Sequence, residues 1–261
     1  SGFGLAGAAM GFVTARTVGF FFYVYFFIKD KTLVFSTASF AQSTRDILYV
    51  GTPAIAANII GPATMTFVTK IVATYGTAAI AGFNLASRIE TMFAMVLWSL
   101  SMSLAPFIGQ NWGAGLLQRV KRSFSLANRF AFIWGLSSYV FLVVCSPFVI
   151  KLLSNDAAVI ESAGLYMMIA PLGMAVMGIG SNVGSSFNAL GKPLPPLIMS
   201  GCQMLLLTMP LTLLGNSLFG LSGIFLGGIV SMSIAAILGS FWLHLTLNKE
   251  TPTGAVTLNA A

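Results

Sequence analysis

The chain has 261 residues, of which 57% are hydrophobic and only 7% charged, with a mean hydropathy of +0.90. A soluble globular protein carries about 25% charged residues, so the composition excludes a soluble domain and identifies an integral membrane protein. The formal net charge of +7 would suggest nucleic acid in a soluble protein. Here the basic residues stand at the ends of apolar segments, where they orient helices and meet anionic lipid, so the bilayer is an expected partner and nucleic acid is not.

Several apolar runs exceed the roughly 18 residues that cross a bilayer, and they lack strict alternation, so they predict spanning helices rather than a barrel. The opening SGFGLAG has no initiator Met, basic stretch or cleavage site, and is expected to lie within a longer protein rather than to be a signal peptide. Seven transmembrane helices are predicted, at Phe3–Ile28, Ile47–Thr74, Ala78–Ile108, Ser123–Leu153, Ala158–Ala189, Leu194–Leu218 and Ser222–Leu247. The longest connection runs from Lys29 to Asp46, and the other hairpins are short and rich in Gly, Asn, Ser and Pro. The fold class is therefore all-α and polytopic, and the polar tail NKETPTGAVTLNAA is expected to be loose.

The stretch Ser99–Arg122, SLSMSLAPFIGQNWGAGLLQRVKR, sets the orientation, because an apolar segment there ends in a small-residue loop followed by Arg119, Lys121 and Arg122. Lys and Arg accumulate in cytoplasmic loops, which places the Gly113 loop inside. By alternation the same side holds Lys29, Lys31, Arg45, Arg129, Lys192 and Lys249, against Lys151 and Lys70 opposite. The C-terminus is then cytoplasmic.

An internal repeat accompanies this pattern. Gly4-Leu5-Ala6-Gly7 with Gly11 matches Gly220-Leu221-Ser222-Gly223 with Gly227, a shift of 216 residues. A six-helix unit used twice explains it, with this chain holding the last helix of the first unit and all of the second. GxxxG patterns are also common packing devices in membrane helices.

The segments GTPAIAANIIGPATM, YGTAAIAGFNLASRIE, LSMSLAPFIGQNWGAG and FNALGKPLPP occur in that order. Together they resemble the MATE (multidrug and toxic compound extrusion) family of secondary transporters, from its sixth helix to its twelfth. The resemblance implies a twelve-helix protein of two six-helix lobes around a central cavity, exchanging drugs or toxins for sodium ions or protons. Residues 1–46 would then be the last helix of the N-terminal lobe with a cytoplasmic linker, 47–247 the C-terminal lobe, and 248–261 a cytoplasmic tail. The expected partners are the N-terminal lobe and amphipathic or cationic small molecules, in a bacterial-type plasma (inner) membrane. No cofactor or metal is expected beyond the coupling ion. Some members carry cation-binding carboxylates in the seventh and tenth helices. The corresponding positions here are Gly61 and Met177 or a neighbour, which implies that the ion site lies mainly in the N-terminal lobe.

Candidate cavity residues follow from polar or helix-breaking residues at membrane depth. Pro62 leaves the carbonyl of Asn58 without its helical donor, so a bend or local unwinding is expected across Asn58, Gly61 and Pro62, facing the interior. Asn182 and Asn188 lie on the fifth predicted helix with Met174 and Met177, whose flexible thioethers suit a promiscuous apolar pocket. The Gly180-xxx-Gly184 pair on that helix is expected to let helices approach. Arg16, Arg88 and Glu90 lie deep in apolar segments and each needs a partner or water, whereas Lys70 lies near a helix end and can snorkel. Glu90 is the only acidic residue well inside a span, and its partner is expected among Lys70, Arg16, polar side chains or cavity water. His244 and the cysteines Cys145 and Cys202 read as structural, and the two cysteines sit at different depths and should not be bonded to each other. An enzyme lacks its parts here: no Ser/His/Asp or Cys/His set, paired carboxylates, phosphate loop or metal cluster. Two other readings are a lipid-linked oligosaccharide flippase of related architecture and a non-transporting half-size membrane scaffold.

Overall fold

The computed structural model describes residues 4–30 and 40–249. Contacts divide the chain into two units, residues 1–48 and residues 49–261. The first holds helix α1 (Gly4–Lys29) and the opening turns of α2 (Phe40–Ala73). In α1 the aromatic residues from Phe20 to Phe27 are exposed, and a helix that is apolar all round belongs in lipid or against other membrane helices.

The second unit continues α2 and adds α3 (Thr77–Gly113), α4 (Leu117–Leu153), α5 (Ala157–Ile169), a 3₁₀ turn (Ala170–Gly173) and α6 (Met174–Ala189). It closes with α7 (Leu194–Cys202), a π-helical turn (Gln203–Thr208) and α8 (Met209–Lys249). No strand occurs among the described residues. Among the described residues, six stretches are long and apolar enough to cross a membrane. The last, Leu194–Lys249, has 56 residues. That is about 84 Å of helix at 1.5 Å per residue, more than twice a hydrocarbon core of about 30 Å.

The long stretch breaks at Gly220, where φ 60° and ψ −139° leave the helical region. The chain reverses there. Gly215 faces the backbone of Gly223, Gly227 faces Leu211, and the hydroxyls of Thr208 and Ser231 are 2.6 Å apart, an antiparallel ladder of small residues. The last two predicted spans therefore meet at a single glycine.

Three predicted boundaries need correction. Phe40–Asp46, expected as linker, forms the first turns of α2. Gly109–Gly113, expected as loop, completes α3, and α4 begins at Leu117 rather than Ser123. The turn shrinks to Ala114–Leu116, with Gly115 at φ 75°. Lys, Arg, Gln and Glu are good helix formers, so helices run on past the hydrocarbon into the polar headgroup zone, where hydropathy no longer marks them. At the other end of α4, Ser154–Asp156 suffices for reversal, and Asp156 caps α5 by accepting from the Ala158 N–H at 2.9 Å.

Lipid tails are as apolar as leucine, so close packing rather than hydrophobicity holds such helices together. Gly82 of α3 lets α5 approach so closely that a methyl group in its place would stand 2.8 Å from the Ala163 nitrogen. Gly135 does the same for α4 against Ala175 of α6. Two interior clusters result. One, around Phe83, Leu97, Leu142 and Ile150, lies toward the Asn155 turn, and the other, around Ile108, Val120, Phe187 and Leu243, lies toward the Gly115 turn. Helix α2 joins the first cluster through Val68, Ile71 and Val72, near its C-terminal end.

Candidate functional site

Two cavities open inside the second unit, of about 430 and 700 Å³. Ala57, Trp98, Met177, Ser200, Gln203 and Met232 belong to the walls of both, so the two adjoin. Volumes of this order suit a drug-sized ligand.

Glu90, on α3, lines the smaller cavity. Its carboxylate accepts a hydrogen bond from the Tyr166 hydroxyl on α5. The Tyr166 ring stands edge-on to Phe83 at 5.3 Å and to Phe225 at 4.9 Å. The Phe83 and Phe225 rings are parallel, with centroids 6.0 Å apart. The wall thus combines one carboxylate with four aromatic residues, Phe83, Trp98, Tyr166 and Phe225, and it contains no Lys or Arg among the described residues. A carboxylate beside aromatic faces attracts cations by charge and by ring quadrupole.

The sequence candidates separate into three groups. Gly61, Met174 and Met177 line the smaller cavity with Glu90. Asn58, Asn188 and again Met177 line the larger one. Pro62 lines neither, and α2 is helical throughout, so the local unwinding expected at Asn58 and Pro62 is absent. Thr64 and Thr66, donating to the Ile60 carbonyl at 2.8 Å and the Pro62 carbonyl at 2.9 Å, supply side-chain donors within the proline-containing helix. Helical irregularity occurs instead in the opposing wall. The 3₁₀ turn follows from Pro171, and the π turn lies just before Pro210. Both turns contribute to the smaller cavity, through Ala170 and Gly173 and through Gln203, Met204 and Thr208.

Asn182 is not a cavity residue. It is fully buried between α3, α4 and α6, accepting from Ser101 Oγ at 2.7 Å and donating to Asn128 Oδ1 at 3.0 Å. Its spacing on α6 turns it away from the face that carries Gly180 and Gly184. Those glycines have open space before them and line the larger cavity, so they do not serve as the expected packing pair. Arg16, in the first unit, is exposed and lies over the Phe12 ring at 5.1 Å. Lys70 and Arg88 are exposed and line neither cavity. Of the partners weighed from sequence for Glu90 (Lys70, Arg16, polar side chains and cavity water), the structure gives a polar side chain, the Tyr166 hydroxyl. Cys145 and Cys202 are both free thiols.

Tyr166, Phe83, Phe225 and Gln203 were not singled out from sequence. Gln203 left a usable signal, a polar side chain within an apolar run. The aromatics left none, since phenylalanines are abundant throughout the chain.

Membrane-length helices packed around a largely apolar cavity of ligand size, with a few polar groups in its wall, define a polytopic helical membrane protein. The chain belongs to the MatE family, whose pattern matches residues 53–214. It is 30% identical over 180 residues to a FAD transporter of Shewanella oneidensis, covering 69% of this chain and 40% of that protein. It is 26% identical over 252 residues to the multidrug export protein MepA of Staphylococcus haemolyticus, covering 95% of this chain and 55% of that one. In structure it matches a mutant of the Vibrio cholerae MATE transporter VcmN, with a TM-score of 0.88 and 26% identity over 95% of this chain and 57% of that one. The bent form of VcmN matches with a TM-score of 0.85, over 94% and 56%. The chain thus spans about half the length of the relatives it matches.

Proposed function

We propose that residues 47–247 form the C-terminal lobe of a secondary efflux transporter in a bacterial-type plasma membrane, and that residues 1–46 are the last helix of its N-terminal lobe with a cytoplasmic linker. The transporter exports amphipathic cationic small molecules by alternating access, against sodium ions or protons. The MepA relatives and the VcmN structures support the class. The observation that carries the substrate reading is the cavity wall of Glu90, Tyr166, Phe83 and Phe225, which among the described residues holds no lysine or arginine. Gly61 and Met177 line the cavity where a carboxylate would be needed for an ion site in this lobe, which supports placing the coupling site mainly in the N-terminal lobe.

The FAD transporter of Shewanella oneidensis raises a second reading, and the oligosaccharide flippase a third. Both cargoes carry a pyrophosphate, which calls for fixed cations, and the described wall offers a carboxylate instead. A half-size scaffold needs no such wall. The test is efflux by the full-length protein at matched abundance, with a cationic dye and with FAD, for the wild type and Glu90→Gln. Dye export that falls in the variant supports the proposal. FAD export, or dye export that the substitution leaves unchanged, rejects the cationic assignment.

A further inference from the structure

Beyond transport, the outer face of α4 carries a site of a different kind. Arg129 and Lys151 on this helix are separated by 21 uncharged residues, Phe130–Ile150. At 1.5 Å per residue the two charges are about 33 Å apart, close to the thickness of the hydrocarbon core. Arg129 therefore stands at the headgroup level, where a cation meets phosphate.

A groove of about 570 Å³ surrounds it, walled by Phe124, Phe132 and Ile133 and including Ser125 and Asn128. The side-chain chemistry is one-sided. The Asn128 amide oxygen is occupied by Asn182 at 3.0 Å, which fixes the amide and leaves its NH₂ as the group available to the groove. Ser125 is exposed and has no side-chain partner among the described residues. The groove thus offers a guanidinium, an amide NH₂ and a hydroxyl, and contains no acidic residue among the described residues. Two turns deeper into the membrane, a second groove of about 570 Å³ runs along the same helix past Leu136, Val140, Phe141 and Val144. Polar donors at headgroup depth, continued by an apolar channel along the spanning segment, match one ligand shape.

The geometry points to a binding site for an anionic phospholipid on α4, with the phosphate held by Arg129, Asn128 and Ser125 and an acyl chain laid along Leu136–Val144. The pairing is directional. The guanidinium donates to the phosphate oxygens in fork geometry, which a zwitterionic lipid, carrying its own choline cation, satisfies less well.

The test uses the full-length protein in detergent, titrated with phosphatidylglycerol or phosphatidylcholine and read by native mass spectrometry. Phosphatidylglycerol is expected to bind more tightly than phosphatidylcholine. Arg129→Ala should weaken its binding about five-fold, the effect of one basic residue near an anionic surface, while Arg119→Ala, at the end of the same helix, should leave it unchanged. Should Arg129→Ala fail to fold, Ser125→Ala and Arg129→Lys are read at matched melting temperature, and both should still lower affinity. Equal binding of the two lipids, an unaltered affinity in Arg129→Ala, or displacement of phosphatidylglycerol by millimolar inorganic phosphate would each overturn the assignment. The last result would mark a site for a soluble anion, and the second a face covered by another segment of the protein.

Discussion

At the scale of single residues, the function rests on how two polar clusters are treated. Glu90 and Tyr166 face a cavity, whereas Asn182 and Ser101 are buried between helices with the half-buried Asn128 beside them. Substitution should separate the two roles. Tyr166→Phe removes the donor from a carboxylate that can still reach water, so stability should fall by about 1 kcal/mol or less while the apparent affinity for a cationic substrate changes. The double variant with Glu90→Gln should be non-additive, with a coupling between 0.5 and 3 kcal/mol, because the side chains share one bond. Thermal unfolding in detergent and substrate-dependence of efflux give the two readouts. Asn182→Leu should behave in the opposite way. It removes one acceptor of the buried Ser101 hydroxyl and the donor to the Asn128 amide oxygen, at a cost of about 1–3 kcal/mol, and transport should decline in step with abundance. Asn58→Leu, on an exposed cavity wall, should lower efflux more than abundance. Quantitative immunoblotting beside transport assays distinguishes the patterns. That Glu90 was the acidic residue to watch was legible in sequence, because it stands alone within a span. That Tyr166 is its partner was not, since the two lie 76 positions apart and meet only when α3 and α5 pack.

At the scale of helices, glycine marks two different structures with one sequence signature. Gly82, Gly135, Gly215 and Gly223 lie where backbones nearly touch, while Gly61, Gly180 and Gly184 face open space. Gly82→Leu should therefore force α3 and α5 apart and destabilise the lobe by about 1–3 kcal/mol. Gly61→Ala should be neutral or raise stability by a few tenths to 1 kcal/mol, since nothing opposes the added methyl and the unfolded chain loses freedom. Unfolding midpoints of the two variants check the contrast, and a destabilised Gly61→Ala would mean that α2 closes on its neighbours in the resting protein. The spacing of Gly180 and Gly184 could not reveal this difference, because a small residue permits close approach without requiring it. The same limit governed the prolines. Hydropathy placed the spans and a proline marked each possible interruption, but α2 stays helical at Pro62 while irregular turns occur near Pro171 and Pro210. A proline removes one helical donor wherever it stands, so its position alone does not tell which helix will be distorted.

At the scale of the whole molecule, the remaining question is which way the lobe faces. The reversals at Gly76, Gly115, Ser154–Asp156, Gly191 and Gly220 are short, so consecutive spans must alternate in direction. Basic residues are unequally shared by the two ends. The Gly115 end gathers Arg119, Lys121 and Arg122 in the opening turns of α4, with Lys192 and Lys249 at the ends of neighbouring segments, and Lys121 donates to the Asn248 amide oxygen at 2.6 Å. The Asn155 end has Lys151 and, in the last turn of α2, Lys70, accompanied by Asp156 and Glu161. Short loops obey the positive-inside bias, so the Gly115 end should be cytoplasmic and the Asn155 end external. The prediction can be checked in a full-length protein whose native cysteines, Cys145 and Cys202 included, are replaced, with single cysteines placed at Gly115 or Asn155. A membrane-impermeant maleimide applied to intact cells should label the Asn155 cysteine and spare the Gly115 cysteine until the membrane is permeabilised. The reverse pattern would invert the lobe, and the cavity would then need to load its substrate from the side to which efflux is expected to deliver it.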